Sequence, residues 1–205
     1  MNGIDNKNLN IRIHQIYETY LTVISPFIIQ LEILDSEYPV EIMNELRAIL
    51  THISRCYTTK NQELIEDNIN KAERHVKRAV LDCYKYLCVS YDEFYKSFER
   101  QYENVDMSVI DNGDFLPHLS KKRKIAIESI SNAKRKELIL ENADDVFEDF
   151  ENAYHAFSDV YNLINSSYDK LQRQKHKATA KEWIGVTWGI IGTIGTIFGI
   201  LGFLL

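Results

Sequence analysis

Proline is scarce in this chain of 205 residues, three in all, and only two of its eight glycines, Gly3 and Gly113, fall before residue 183. Strand-like alternation is absent as well. So few turn-formers exclude a sandwich or barrel of short strands and leave room for long helices. The three cysteines, Cys56, Cys83 and Cys88, are too few for a secreted disulfide scaffold and lack the CxxC spacing of a metal or redox site. They read as buried structural thiols. No HxxH or HxxxH pair occurs among the six histidines, so no metal site is expected. Phosphate-cradling and nucleophile-elbow motifs are missing too, and no cofactor is expected. The N-terminus lacks a basic patch followed by an apolar run, so no cleaved signal peptide is expected. The most informative lack is one of charge. Thirty acidic and 24 basic side chains all lie in residues 1–182, and residues 183–205 carry none. That division excludes an ordinary protein of one aqueous compartment.

What the uncharged stretch contains is glycine and isoleucine. As a helix, Trp183–Leu205 would be roughly 34 Å long at ~1.5 Å per residue, enough to cross a ~30 Å hydrocarbon core. Trp183 and Trp188 sit where an aromatic belt would lie, and Lys170, Arg173, Lys175, Lys177 and Lys181 precede them as a cytoplasmic basic flank. The expectation is one C-terminal transmembrane helix, 183–205, with the bulk of the chain in the cytoplasm. Gly185, Gly189, Gly192, Thr196 and Gly199 follow a 4-3-4-3 spacing along one face. In lipid, where no hydrophobic drive pulls helices together, such a small-residue stripe permits close backbone approach. Self-association through these five positions is expected, in a homo-oligomer embedded in membrane lipid.

The first 182 residues read as helical throughout, and the fold class is all-α: a bundle of long helices continuing as a coiled-coil-like helix into the membrane. Ile13, Tyr17, Tyr20, Ile24, Phe27, Leu31 and Leu34 make one apolar face, with Pro26 kinking the helix. A second helix is predicted from Pro39 to about Tyr57. A third runs from Asn61 to Asn104, with Ile65, Ile69, Ala72, Val76, Ala79 and Cys83 on one face. Residues 105–117 form a loop. From His118 to Lys181 neither Gly nor Pro occurs, which predicts one helix, or two parted near Ser131–Lys136. Phe147, Phe150, Tyr154, Phe157, Tyr161, Ile164, Tyr168 and Leu171 form a seam whose period, continued, lands on Gly185. The expected organisation is a sensor bundle over 1–117, a helical stalk over 118–182 and the span over 183–205.

Two features of the predicted bundle bear on chemistry. Arg47 and His52 stand in Arg-x4-His spacing on the second helix. That spacing, with the helices of roughly residues 10–100, resembles the HEPN domains, all-helical modules that often cleave RNA as dimers. The resemblance implies that Arg47 and His52 act at a scissile phosphate, although the residue after Arg47 is Ala48 where active members usually carry a polar one. A degenerate, non-catalytic HEPN-like bundle and an active ribonuclease both remain open, as does an Arg47 and His52 that merely satisfy an interhelical Glu. On the third helix Lys71, Arg74, Arg78 and Lys85 share a face, with Tyr84 beside its end. Cations that track phosphates and an aromatic that stacks a base are what a single-stranded nucleic-acid site needs. Residues 1–169 are nevertheless acidic, with 29 carboxylates against 19 cations, which disfavours bulk nucleic-acid binding and leaves a small pocket.

The whole arrangement, helical cytoplasmic domain, rod and uncharged self-associating tail, resembles the membrane effectors of bacterial anti-phage systems, and among them the Hailong type. The resemblance implies a non-enzymatic, oligomeric and in particular tetrameric channel in the bacterial inner membrane. It further implies gating in abortive infection by a short single-stranded oligodeoxyadenylate, made by a partner nucleotidyltransferase and bound through Arg47, His52, Lys71, Arg74, Arg78, Lys85 and Tyr84. The alternative is a membrane-tethered HEPN-type ribonuclease using Arg47 and His52.

Overall fold

The structure, a computed structural model, describes residues 6–36, 38–139 and 146–179. Among these the fold is all-helical, with no strand. The uncharged stretch and its five stripe positions, Gly185, Gly189, Gly192, Thr196 and Gly199, lie outside the described residues. No helix of the described residues is long and apolar enough to cross a membrane.

Helix α1 spans Asn6–Thr19 and α2 spans Ser25–Asp35, joined by one π-helical turn at Tyr20–Ile24. Pro26 explains the turn. It has no N–H to give and its ring crowds the preceding carbonyls, so the ladder widens by one residue there and resumes with Pro26 in the first turn of α2. The wider turn also re-phases the buried face, which runs Leu9, Ile13, Ile16, Ile24, Ile28 and Leu31. Tyr17 and Tyr20, expected on that face, remain 45% and 38% exposed.

Helix α3 spans Val40–Thr58 after Pro39, and α4 spans Gln62–Gln101. Asn61 caps α4, its side-chain oxygen accepting from the N–H groups of Glu63 (2.9 Å) and Leu64 (3.3 Å). Along α4 the predicted stripe from Ile65 to Cys83 is buried at every position. Beyond Ala79 the burial spreads around the helix, taking in Val80, Leu81, Tyr84, Leu87, Cys88, Ser90 and Tyr91.

Helix α5 spans Phe115–Ile139 and α6 spans Phe147–Ser166, with helix again over 168–179. The expected break near Ser131–Lys136 is absent. Ser131 bonds back to the Ile127 carbonyl at 2.6 Å, Ala133 is fully buried and Lys136 reaches Asp149 on α6 at 2.7 Å. A polar stretch there marks a solvated face of a continuous helix. The long seam of α6 is buried at Phe150, Phe157, Ile164 and Leu171 and half-buried at Phe147, Tyr154 and Tyr161. Tyr168 leaves it, 55% exposed just after the helix is interrupted at Ser167.

The described residues form two compact units, divided within Met1–Lys96 with Lys122–Tyr161 for the first and within Ser97–Lys121 with Asn162–Leu205 for the second. Part of the span read above as a stalk thus packs with the helices read as the sensor bundle. In the first unit, each of the other helices makes a polar tie to α4. Arg12 of α1 clamps Glu73 and Glu66, at 2.5 and 3.0 Å, and Asn70 at 2.6 Å. From α2, Gln30 donates to the Tyr91 hydroxyl at 2.5 Å, and Ser90 donates to Asp35. Tyr86 donates to Glu41 of α3 at 2.5 Å, Tyr84 to Glu151 of α6 at 3.0 Å, and Arg123 of α5 pairs with Asp92. In the second unit Tyr102 accepts from Gln172 (2.9 Å) with Lys175 over its ring. There the left-handed run Asp111–Asn112–Gly113 reverses the chain, and Lys170 pairs with Asp111.

Asp92 is the tie with a pH signature. Burial alone would push its carboxyl up, but hydrogen bonds from Lys96 and Arg123 outweigh burial and hold it below the usual Asp value. A depressed carboxylate contributes stability above its unfolded pKa, about 3.9, and loses it as pH falls through the folded value. Asp92→Asn is therefore expected to cost about 1–2 kcal/mol in urea denaturation at pH 7. The gap from wild type should start to narrow at about pH 4 and close only once the pH is below the depressed folded value; a gap as wide in strong acid as at pH 7 would contradict this account.

Candidate functional site

The residues singled out from the sequence are dispersed over the first unit. Arg47 and His52 lie five positions apart on α3, about 140° around the helix axis at 100° per residue. His52 turns toward α4, where its Nδ1 donates to Asn68 Oδ1 at 2.9 Å and its ring stacks on that of His75, 5.3 Å between centroids. His75 in turn donates from Nδ1 to Glu45 at 2.6 Å, and Asn68 donates to the Leu64 carbonyl at 2.7 Å. This is a closed polar bridge between α3 and α4. The interhelical carboxylate belongs to His75, and His52 takes the amide. Arg47 is exposed, its guanidinium makes no ion pair or hydrogen bond among the described residues, and it stands at an apolar cleft elsewhere on α3. The two motif residues share no partner.

The cationic face of α4 keeps its alignment but not its company. Lys71 pairs with Asp67 one turn back at 2.7 Å, and Arg74 and Arg78 are exposed. Lys85, about two helical turns beyond Arg78, pairs with Glu137 of α5 and lies over the Phe150 ring at 4.9 Å. Tyr84 is only 5% exposed. Its ring meets Phe27 at 5.5 Å, Phe147 at 5.6 Å and Tyr154 at 5.3 Å, which leaves no face for a base. Burial and the bond to Glu151 push its hydroxyl far above the ordinary tyrosine range. The sequence placed Tyr84 beside the basic face by position alone. The aromatics of α6 that cover it, at 67 or so residues' remove, carry no local signal.

Two clefts open on this unit. One, of about 460 Å³, has a floor of Cys88, Val89, Phe150 and Phe157 and a rim of charges. Most of the rim is already paired: Lys85 with Glu137, Asp92 with Arg123 and Lys96, and Glu93 with Lys96, while Glu41 accepts from Tyr86. Asp82 and Lys134 are the exceptions among the described residues, and burial raises the Asp82 carboxyl. The second cleft, about 450 Å³, lies among α1, the π turn, α3 and α4. Its walls are Ile16, Tyr17, Tyr20, Ile24, Met43, Leu46, Ile49, Leu50 and Val76, and Arg47 is the one charged residue lining it. Sequence reasoning missed this cleft. It opens where Tyr17 and Tyr20 stay exposed beside the π turn at Tyr20–Ile24, which the spacing of apolar residues does not signal.

Comparison with known protein families, with curated proteins and with solved structures finds no match for this chain.

The three thiols are buried, and burial pushes Cys83 and Cys88 up to about 12, which makes them poor nucleophiles at neutral pH. Among the described residues no group of three or more His, Cys, Asp or Glu converges on a metal position.

Tyr84 separates a core role from a stacking one. Tyr84→Ala should destabilise the fold by about 3–5 kcal/mol, as large aromatic truncations in a core do, and Tyr84→Phe by only about 1 kcal/mol through the lost bond to Glu151. Thermal and urea melts of the two variants read this directly; an alanine variant as stable as wild type would return Tyr84 to the surface.

Proposed function

We propose that this chain is a membrane effector: a helical cytoplasmic domain whose C-terminal stretch inserts in the bacterial inner membrane and assembles with copies of itself into an ion-conducting pore. The observation that carries the reading is the absence of any charge over residues 183–205, directly after a basic flank and with small residues in a 4-3-4-3 stripe. A passive anchor needs no such stripe, and close packing of several helices does. The effector role in anti-phage defence, the tetrameric state and gating by a short oligodeoxyadenylate belong to the same proposal, through the resemblance to Hailong-type effectors.

The geometry of the helical domain favours a binding role over catalysis. A general acid–base pair for RNA cleavage needs both groups within reach of one phosphate. Arg47 and His52 instead occupy separate surroundings, with His52 engaged by Asn68 and His75. For an oligonucleotide, Arg74 and Arg78 on α4 are the accessible cations, with Lys71 held beside them by Asp67. Tyr84 and Lys85, engaged by α5 and α6, do not belong to that contact.

Membrane potential in cells expressing the full chain tests the reading. Induction should depolarise cells, Gly192→Leu should abolish depolarisation while leaving the protein in the membrane fraction, and His52→Ala should depolarise like wild type. Growth arrest with potential intact, lost in His52→Ala alone, would replace the pore with a membrane-tethered ribonuclease.

A further inference from the structure

The apolar cleft at Arg47 is a built site without an occupant in the reading above, and its chemistry is specific. Nine of its ten lining side chains are aliphatic or aromatic, and the tenth is a guanidinium with no carboxylate opposite it. Its volume, about 450 Å³, falls in the range of small-molecule sites, about 300–1,000 Å³. Tyr17, Tyr20, Met43 and Leu50 are 45%, 38%, 45% and 60% exposed at its mouth, so large apolar side chains meet solvent around a single positive charge. Contiguous apolar exposure of this kind marks an interaction site.

The two features select the ligand together. A small hydrophilic anion would meet only one exposed, well-hydrated arginine and gain little. A neutral hydrocarbon would fill the walls but leave the guanidinium unused. A molecule with one anionic head and one apolar tail satisfies both, the tail removed from water among Ile16, Ile24, Leu46, Ile49 and Val76, and the head paired in a charge-assisted hydrogen bond with Arg47. We infer that this cleft binds a single-chain anionic amphiphile, a free fatty carboxylate in class, through Arg47 and the apolar walls of α1, the π turn and α3. The site needs no contribution from residues 183–205, so it stands whether or not the chain conducts ions. It also gives Arg47 a role that does not involve His52.

Photo-crosslinking of the full chain in cells that express it tests this, because labelling is read position by position. The probe is palmitate bearing a diazirine and an alkyne, with labelled peptides mapped by mass spectrometry. Labelling is expected on residues 16–24 and 43–50, competed by laurate and not by dodecylamine. Arg47→Gln should cut it roughly tenfold, and Leu50→Glu, at an exposed position that spares the core, should abolish it. Ile33→Glu, exposed and outside the cleft, should leave it unchanged. Labelling confined to 183–205, indifference to Arg47→Gln, or competition by anionic vesicles but not by laurate would overturn the proposal, the last by making the patch a bilayer contact.

Discussion

Helix α4 is the constraint from which the first unit follows. It is 40 residues long, and α1, α2, α3, α5 and α6 all reach it. A helix covered on one side needs a stripe, and one covered on several sides must be apolar nearly all round. The N-terminal half of α4 meets the first demand, with burial every three or four residues from Ile65 to Val76. Between Ala79 and Tyr91 it meets the second, and there small Ala79, Cys83 and Cys88 alternate with large Leu87 and Tyr91 so that neighbours on different sides can all approach. The buried thiols belong to this packing problem. They are small, polarizable fillers whose ionisation burial suppresses.

A core of many aromatics also fixes which partner sits where. Buried and half-buried phenols bring a hydroxyl that must be satisfied, and three on α4 find partners on three different helices: Tyr84 on α6, Tyr86 on α3, Tyr91 on α2. Hydrophobic burial is indifferent to a shift of one turn, whereas these bonds are not. Arg123 does similar work from α5, with its guanidinium over Tyr95 at 4.4 Å and bonded to Asp92. One of its nitrogens, Nη1, is buried without a partner among the described residues, so the pair is imperfectly compensated. Removing Asp92 leaves that charge worse off, which is why the tie is felt in stability despite its desolvation cost.

Helix type, the limits of α3 and α4, and the inner stripe of α4 were legible because they are local: an apolar period of 3.6, an Asn61 cap, a Pro39 start. The phase of α1 and α2 was not, since the π turn that shifts it is a response to Pro26 that hydrophobic spacing does not encode. Nor was the covering of Tyr84 and Lys85. Both lie on plausible surface positions of an isolated helix, and only the return of α5 and α6, 50 to 70 residues later, buries Tyr84 and half-covers Lys85. The seam Phe147–Leu171 was legible as a stripe, while its use was not. Its first positions face α2 and α4, as Tyr154 does against Phe27 at 5.1 Å and Tyr161 against Tyr91 at 4.9 Å, so in the first unit it is intramolecular core.

Charge and cleft divide the surface of the first unit. The cleft over Phe150 is rimmed by eight ionisable carboxylates and ammonium groups, of which all but Asp82 and Lys134 are already engaged. An incoming polyanion there would meet five carboxylates against three lysines and would have to break existing pairs to be held. The exposed Arg74 and Arg78 of α4 carry no such penalty, and the Arg47 cleft offers one cation in apolar walls. A multiply charged strand and a single-headed amphiphile therefore select different places on one bundle. The first needs several unpaired cations at phosphate spacing and the second needs one cation with a dry wall behind it. The same physical rule, that a charge binds best where it is not already paired, sends each to its own surface.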